Sequence, residues 1–229
     1  MKPDPSFDDY QAKWTAAYER SNYGTGLAAY FLRMSHEWCE RRFDRNDHFA
    51  RVLEVGAGTG VHIRSVRHGF DEYWMTDLNR PLLEQIPQSG ASTTGRVFVK
   101  SEDAAKLSFG ERSFDRLIAT HVLEHLPSPH QVLREWVRVV RPGGVLSLVL
   151  PCDPGLAWRW GRNLGPRRTF TRAGIDYDYW MAREHINSIN NLVSLLRYYF
   201  DVVEESWRPC LVPSMDLNLF YIAHVKVGA

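Results

Sequence analysis

Three glycines and two acids in the first third of the chain have the types and spacing to hold a nucleoside that carries a positive charge. Glu54, Gly56, Gly58 and Gly60 stand in the run Val52-Leu53-Glu54-Val55-Gly56-Ala57-Gly58-Thr59-Gly60. Glycine has no Cβ, so such a loop adopts positive φ and lets backbone approach a ligand closely. A dinucleotide loop has the spacing G-x-G-x-x-G and faces a pyrophosphate from a helix N-terminus. Here the spacing is G-x-G-x-G, with Glu54 two residues upstream. A carboxylate there repels a pyrophosphate and favours a cationic ligand. The next acid, Asp77, lies 77 − 56 = 21 residues after the first glycine. That is the distance at which a carboxylate usually accepts from the two hydroxyls of a ribose.

These groups need elements to carry them. Val52, Leu53 and Val55 form a short apolar run that reads as a buried strand, and residues 61–66 read as the opening of a helix. Tyr73-Trp74-Met75-Thr76 reads as a second strand ending at Asp77. Residues 96–100 read as a third and residues 114–120 as a fourth. Residues 130–140 carry apolar residues at helical spacing: Val132, Leu133, Trp136, Val137 and Val140. Arg141-Pro142-Gly143-Gly144 stops that helix, and residues 145–150 read as a fifth strand. Residues 189–199 read as a helix. Val202-Val203 and residues 219–227 supply two more strands. Residues 7–43 read as one or two helices broken at Tyr23-Gly24-Thr25-Gly26.

Four motifs follow one another in a familiar order. They are the glycine loop with Asp77, then Asp103-Ala104 after strand three, then Phe114-Asp115 with Leu123-Glu124-His125-Leu126 around strand four, then Arg141-Pro142-Gly143-Gly144 before strand five. This series resembles the class I S-adenosylmethionine (SAM) methyltransferases over roughly residues 50–151. The resemblance implies an α/β fold with a seven-stranded, mostly parallel, doubly wound sheet. Its order is 3-2-1-4-5-7-6, with the last strand antiparallel and helices on both faces. It implies SAM as cofactor and S-adenosylhomocysteine (SAH) as product. Carried over by position, it implies cofactor contacts at Glu54, Gly56, Ala57, Gly58, Gly60, Asp77, Leu78, Asp103, Ala104, Thr120 and His121. Asp103 would take the adenine amine, with Glu102 as its rival.

The acceptor is less constrained. Residues 151–188 are too long for a tight strand-to-helix connection and read as a functional loop. They contain Trp158-Arg159-Trp160, Arg162, Arg167, Arg168 and Arg172. Between Pro154 and Ile175 no acidic residue interrupts them. Arg159, Arg168, Tyr177, Tyr179 and Trp180 are the expected substrate contacts, suited to a sugar face or an anionic group. A solvated basic loop and contact with anionic lipid headgroups stand as alternatives. Three histidines compete for the role of general base: His185, His121 and His125, in that order, and alignment alone can replace a base. His121-Val122-Leu123-Glu124-His125 departs from the E-x-x-E-H stretch that resembles a metal site in ubiquinone-type O-methyltransferases. No metal is therefore expected.

The resulting expectation is one domain in four parts. Residues 1–45 form a helical lid over the cofactor mouth or pack as ordinary helices, with Tyr10, Trp14, Tyr18 and Tyr23 as pocket liners. Residues 46–151 form the SAM-binding core, 152–188 a substrate-side insertion, and 189–229 a C-terminal helix and two strands. The chain has 229 residues, 44% of them hydrophobic, enough for a sizeable core. A net charge of +1 gives no global field for nucleic acid or membrane. Three cysteines without metal spacing fit a reduced, cytoplasmic setting. No signal sequence or membrane span is expected, and a homodimer is allowed. The expected reaction is methyl transfer to a hydroxyl of a small-molecule or glycosylated acceptor. The alternatives are an N- or C-methyltransferase on another metabolite or lipid, and a non-catalytic SAM-binding subunit. Calorimetry should show binding of SAM and SAH and none of NAD. Tight NAD binding without SAM binding would contradict the loop argument.

Overall fold

The computed structural model describes residues 3–86 and 95–228, leaving aside the side chains of residues 17–23 and 164. The strands are β1 (His48–Val55), β2 (Gly69–Asp77), β3 (Arg96–Ser101), β4 (Phe114–Thr120), β5 (Val140–Pro151), β6 (Val203–Arg208) and β7 (Phe220–Lys226). They form one sheet in the order β3-β2-β1-β4-β5-β7-β6. The first five are parallel, and β7 runs antiparallel to both β5 and β6. The expected topology is therefore the observed one.

Side chains alternate across each strand, so the sheet has two apolar faces. On one, Leu53, Val55, Leu117, Ala119, Leu146, Leu148 and Leu150 pack against α4 (Pro129–Val139) and α8 (Ile189–Tyr199). Trp136 of α4 is fully buried there. On the other, Val52, Tyr73, Met75 and Ile118 form one cluster, and Cys39, Val149, Phe220 and Ile222 another.

The second face also buries charge. Arg116, in the middle of β4, donates to both carboxylate oxygens of Glu40 at 2.7 and 3.0 Å and to Ser147 Oγ at 3.0 Å. Glu40 ends α2 (Leu27–Glu40) and also meets His62 Nε2 at 2.9 Å. His62 Nδ1 lies 2.9 Å from His36 Nδ1, and His224 Nδ1 lies 3.1 Å from Ser147 Oγ. Buried polar groups are tolerated when they are paired in this way. The network bolts α2 to the sheet, so α2 is a structural layer and not part of a lid.

Three local expectations are corrected. Residues 61–66 do not open an α-helix: only a single 3₁₀ turn, His62–Ser65, fits between Gly60 and the start of β2. Strand β5 starts at Val140 and carries Arg141-Pro142-Gly143-Gly144 within it. The ladder with β4 shifts register there, and Gly143 has φ +81°. The segment 151–188 is not a loop. It folds into α5 (Leu156–Leu164), α6 (Pro166–Arg172) and α7 (Tyr177–Glu184).

A short helix, α3 (Arg80–Leu83), follows β2, and α1 (Phe7–Tyr23) packs on that insertion. Tyr10 stacks on Trp180 with ring centroids 3.8 Å apart, and Trp14 stacks on Phe170 at 4.5 Å. Further along α1, Thr15 Oγ1 accepts from Asn79 Nδ2 at 3.2 Å, just beyond Asp77. The helix thus runs from the insertion to the carboxyl end of β2. The Tyr18 and Tyr23 side chains lie outside the described residues.

The buried histidines make the fold sensitive to acid. Burial lowers the pKa of His36 well below its ordinary value, and takes His68 and His224 down to about 4. The unfolded chain then binds more protons than the folded one as pH falls from about 6.5 towards 4. Glu54 and Glu124, raised by burial, oppose this. Glu40 reinforces it at lower pH: burial raises its pKa, but Arg116 and then His62 bring it well below the usual carboxylate range. Urea unfolding should show a loss of at least about 2 kcal/mol between pH 7 and pH 4.5. Constant stability over that range would mean that these side chains are not buried as described.

Candidate active site

The glycine loop leaves β1 at the carboxyl edge of the sheet. Gly56, Gly58 and Gly60 all have positive φ. At Gly56 a Cβ would lie 2.3 Å from Val122 Cγ2, so only glycine lets the β1 and β4 loops meet. Asp77 organises the same place from β2. Its Oδ2 accepts from Gly58 N–H at 2.9 Å and its Oδ1 from Asn79 N–H at 2.8 Å. Burial raises its pKa, and these backbone donors partly offset that. Ala57 N–H donates to Thr76 O, and Leu78, the residue after Asp77, is 72% exposed.

Beyond β3 the two candidate acids part. Glu102 turns inward and accepts from Ser108 and Lys100. Asp103 is exposed, with one carboxylate oxygen accepting from Ala105 N–H at 2.8 Å. The Ala104 carbonyl is held by Trp136 Nε1 at 2.9 Å. Glu54 departs from its expected role. It is buried, and its Oε2 accepts from Tyr73 OH at 2.8 Å, so it props the loop from beneath and offers no exposed oxygen.

The loop after β4 is clamped from two sides. Thr120 is buried at the end of β4. His121 has φ +59°, its N–H donates to Val149 O, and its Nε2 lies 3.0 Å from Ser35 Oγ on α2. Burial takes its pKa down to about 3. Tied to Ser35, His121 is part of the scaffold. On the other side, Asn187 Nδ2 donates to the carbonyls of Leu123 and Leu126 at 3.1 and 2.8 Å. His125 Nδ1 lies 2.9 Å from Glu184 O. Burial takes the His125 pKa to about 3, with His185 adding to the effect. Glu124 is buried, and its Oε2 finds no hydrogen-bond partner among the described residues. Burial pushes its carboxyl up to about 8.

Beside His185 is a cavity of about 350 Å³ lined by residues of α7, by Arg162 of α5 and by the turns at either end, including Asp153, Asp178, His185 and Asn187. His185 Nδ1 lies 3.0 Å from Asp153 Oδ2, and the Trp158 ring lies 6.4 Å above the imidazole. Burial alone would raise the Asp153 pKa, but His185 and then Arg162 hold it below its ordinary value.

Of the expected substrate contacts, Tyr177 and Trp180 are buried with Phe170 and Ile175 in the cluster that seats α1. Tyr179 packs against that cluster, and Arg159 and Arg168 are exposed off the cavity. Arg162 is the guanidinium that lines it, beside the carboxylates of Asp153 and Asp178. An anionic acceptor therefore has less positive charge to meet than the arginine-rich sequence suggested. Sequence reasoning missed Asp153 and Asn187. The Pro151-Cys152-Asp153-Pro154 turn at the end of β5 was the available signal for the first. Among the described residues no helix is long and apolar enough to cross a membrane.

A family model described as "Methyltransferase domain" matches residues 53–148. "Hybrid PKS-NRPS synthetase poxE" of Penicillium oxalicum is 33% identical over 107 residues, covering 43% of this chain and 3% of that protein. "Tenellin synthetase" of Beauveria bassiana is 28% identical over 182 residues, covering 75% of this chain and 4% of that protein. The match is thus a small fraction of these curated relatives. Among solved structures, the CurJ carbon methyltransferase superposes with TM-score 0.62 at 17% identity, over 96% of this chain and 59% of that one. N-methyltransferase NodS of Bradyrhizobium japonicum WM9, bound to SAH, gives TM-score 0.65 at 15% identity, over 96% and 98%.

Asp77 holds two backbone N–H groups as well as facing the cleft. Asp77→Ala should weaken SAH binding by roughly 1.5–3 kcal/mol, as for a lost hydrogen bond to a charged group. It should also lower the melting temperature of the ligand-free protein, which a carboxylate serving only the ligand would not do. Asp103→Ala should weaken SAH binding without that destabilisation. Calorimetry paired with thermal melts separates the two effects. Unchanged SAH affinity in both variants would contradict the assignment.

Proposed function

We propose that this class I SAM-dependent methyltransferase moves the sulfonium methyl of SAM to a hydroxyl of a small organic acceptor. One observation carries the reading. Along the carboxyl edge of the sheet, the groups expected to take the nucleoside, at β3, β2 and β1, are followed at β4 and β5 by the cluster of Glu124, His125, Asp153 and His185. Open α/β sheets bind ligands along that edge.

A SAM molecule laid along it puts its adenine against Leu78 with the amine at Asp103. The ribose hydroxyls then reach Asp77, and the methionine portion lies over the glycine loop. The sulfonium falls beside Val122 and faces the cavity. With the acceptor held there, an oxygen lone pair attacks the methyl in line with the breaking S–C bond. The S–CH₃ bond breaks, the O–CH₃ bond forms, and SAH leaves with a neutral sulfur. The hydroxyl proton leaves through the cluster, whose central group is His185 with Asp153 behind it. Transfer removes the positive charge of the sulfonium, so the partly apolar surroundings favour the products. Helix α1, which reaches both the insertion and Asn79, is placed to keep water from the reacting atoms.

A second reading is favoured by those curated relatives that are named as polyketide synthases: the acceptor is an acidic carbon beside a carbonyl. The same cluster then removes a C–H proton. Incubation with methyl-labelled SAM and candidate acceptors, followed by NMR of the product, tells an O-methyl from a C-methyl group.

In either case His185→Ala should lower kcat by ~10²–10⁴, the range for a group that handles the proton. Its affinity for SAH should stay unchanged. Asp153→Asn should give a smaller loss of kcat. A decrease under tenfold for His185→Ala would leave alignment alone as the source of rate.

A further inference from the structure

Two clusters of potential ligands occur among the described residues. Cys39, Glu40 and His62 lie together beneath the sheet. The Arg116 guanidinium donates to both oxygens of Glu40, so a cation there would sit against a fixed positive charge. The other cluster is Glu124, His125 and His185, of which one ligand atom each lies within 4.8 Å of the other two.

Three features of this second cluster point the same way. The first is the state of the imidazoles. His125 Nδ1 is engaged by the Glu184 carbonyl and His185 Nδ1 by the Asp153 carboxylate. Each ring thus has its Nδ1–H directed at an acceptor and its Nε2 left with a lone pair. That is the arrangement in which metal-binding histidines are found, one ring nitrogen donating to a carbonyl or carboxylate and the other to the ion. The second is Glu124. Its carboxyl group is buried, and Oε2 has no hydrogen-bond partner among the described residues. Burying an uncompensated polar oxygen is costly. His125 Nε2 lies 3.7 Å from the other oxygen, Oε1. The third is rigidity. Asn187 pins Leu123 and Leu126 on either side of Glu124 and His125, and joins them to the turn that carries His185. Donors of one ion with bonds of ~2.1 Å can be no more than ~4.2 Å apart. Side-chain shifts of at most about 0.6 Å bring the three donors within that limit.

From this geometry we infer that Glu124, His125 and His185 bind a divalent first-row transition metal ion, with Asp153 and the Glu184 carbonyl orienting the two imidazoles. Two imidazoles and one carboxylate suit such ions and leave coordination positions open. Of the three ligands, His185 also lines the cavity that the proposed function assigns to the acceptor, and only the role of the ion rests on that reading. An acceptor oxygen bound to the ion loses its proton more readily. With an ion bound, His185 would act on the proton through the ion as its ligand, in place of accepting the proton directly, and the released proton would pass to water. The sequence pattern alone had argued against a metal because the stretch at residues 121–125 begins with His121. The fold replaces that position with a residue about sixty positions downstream.

The test uses the metal-free 229-residue chain and Co²⁺ as a spectroscopic probe, with SAH affinity measured in parallel. One equivalent of Co²⁺ should bind and give visible ligand-field absorption that Zn²⁺ displaces. Glu124→Gln, which keeps the shape of the side chain, should weaken Co²⁺ binding at least tenfold while SAH affinity is retained. His125→Ala and His185→Ala should do the same. Asp153→Asn, which acts through His185, should weaken it by ~10–100-fold. Cys39→Ser should leave binding intact. The inference is overturned if no stoichiometric binding occurs, or if binding survives Glu124→Gln and is lost in Cys39→Ser. Loss of SAH binding by the unmodified protein would instead contradict the methyltransferase reading, whatever the result with Co²⁺.

Discussion

The pair of Arg116 and Glu40 is the constraint on which the placement of the site depends. Arg116 occupies the centre of the central strand, where a parallel sheet covered on both faces usually carries only apolar side chains. A guanidinium there is tolerable because Glu40 meets it with both oxygens and Ser147 takes a third N–H. Removing one member of such a buried pair leaves an uncompensated charge, worth about 3–5 kcal/mol. The pair therefore selects one position for α2. That position puts Ser35 within reach of His121 and so fixes the loop after β4. It also fixes where α1 begins its path over the insertion and the end of β2. One ion pair beneath the sheet thus settles the geometry above its edge.

The turn after the glycine loop shapes the electrostatics of the cleft. With a single 3₁₀ turn where an α-helix was expected, no long helix with its positive N-terminal end starts at the glycine loop among the described residues. The Ala57, Gly58 and Gly60 N–H groups are engaged by Thr76 O, Asp77 Oδ2 and Ala57 O, and Asp77 brings a carboxylate to the same place. That balance suits a cationic sulfonium nucleoside better than a pyrophosphate, and it agrees with the absence of the dinucleotide glycine spacing.

The parts legible in the sequence were those encoded locally. The strand-glycine-acid series and the helices of residues 130–140 and 189–199 follow from short runs with clear periodicity, and the strand order follows from the resemblance that the four motifs carry. What escaped was long-range or compositional. Glu40 and Arg116 are 76 residues apart, and neither has a pattern that announces the other. Asp153 and His185 are 32 apart, and a turn acid between prolines reads as ordinary loop chemistry. The insertion read as a loop because its arginines and glycines mask short helices that pack against one another and against α1. Tyr177 and Trp180 looked like ligand contacts for the same reason that they pack well: large aromatic faces serve either purpose. Glu54 was read correctly as an acid beside the loop, but the pleat turns it to the buried face, where Tyr73 takes it.

The central claim is that the nucleoside groups and the acceptor cluster form one continuous site along the carboxyl edge of the sheet. A crystal structure of the SAH complex tests it directly. The account predicts adenine against Leu78 with its amine at Asp103, ribose hydroxyls on Asp77, and the sulfur beside Val122, open towards Glu124 and His185. SAH bound with its ribose away from Asp77, or with its sulfur turned from that cluster, would contradict it.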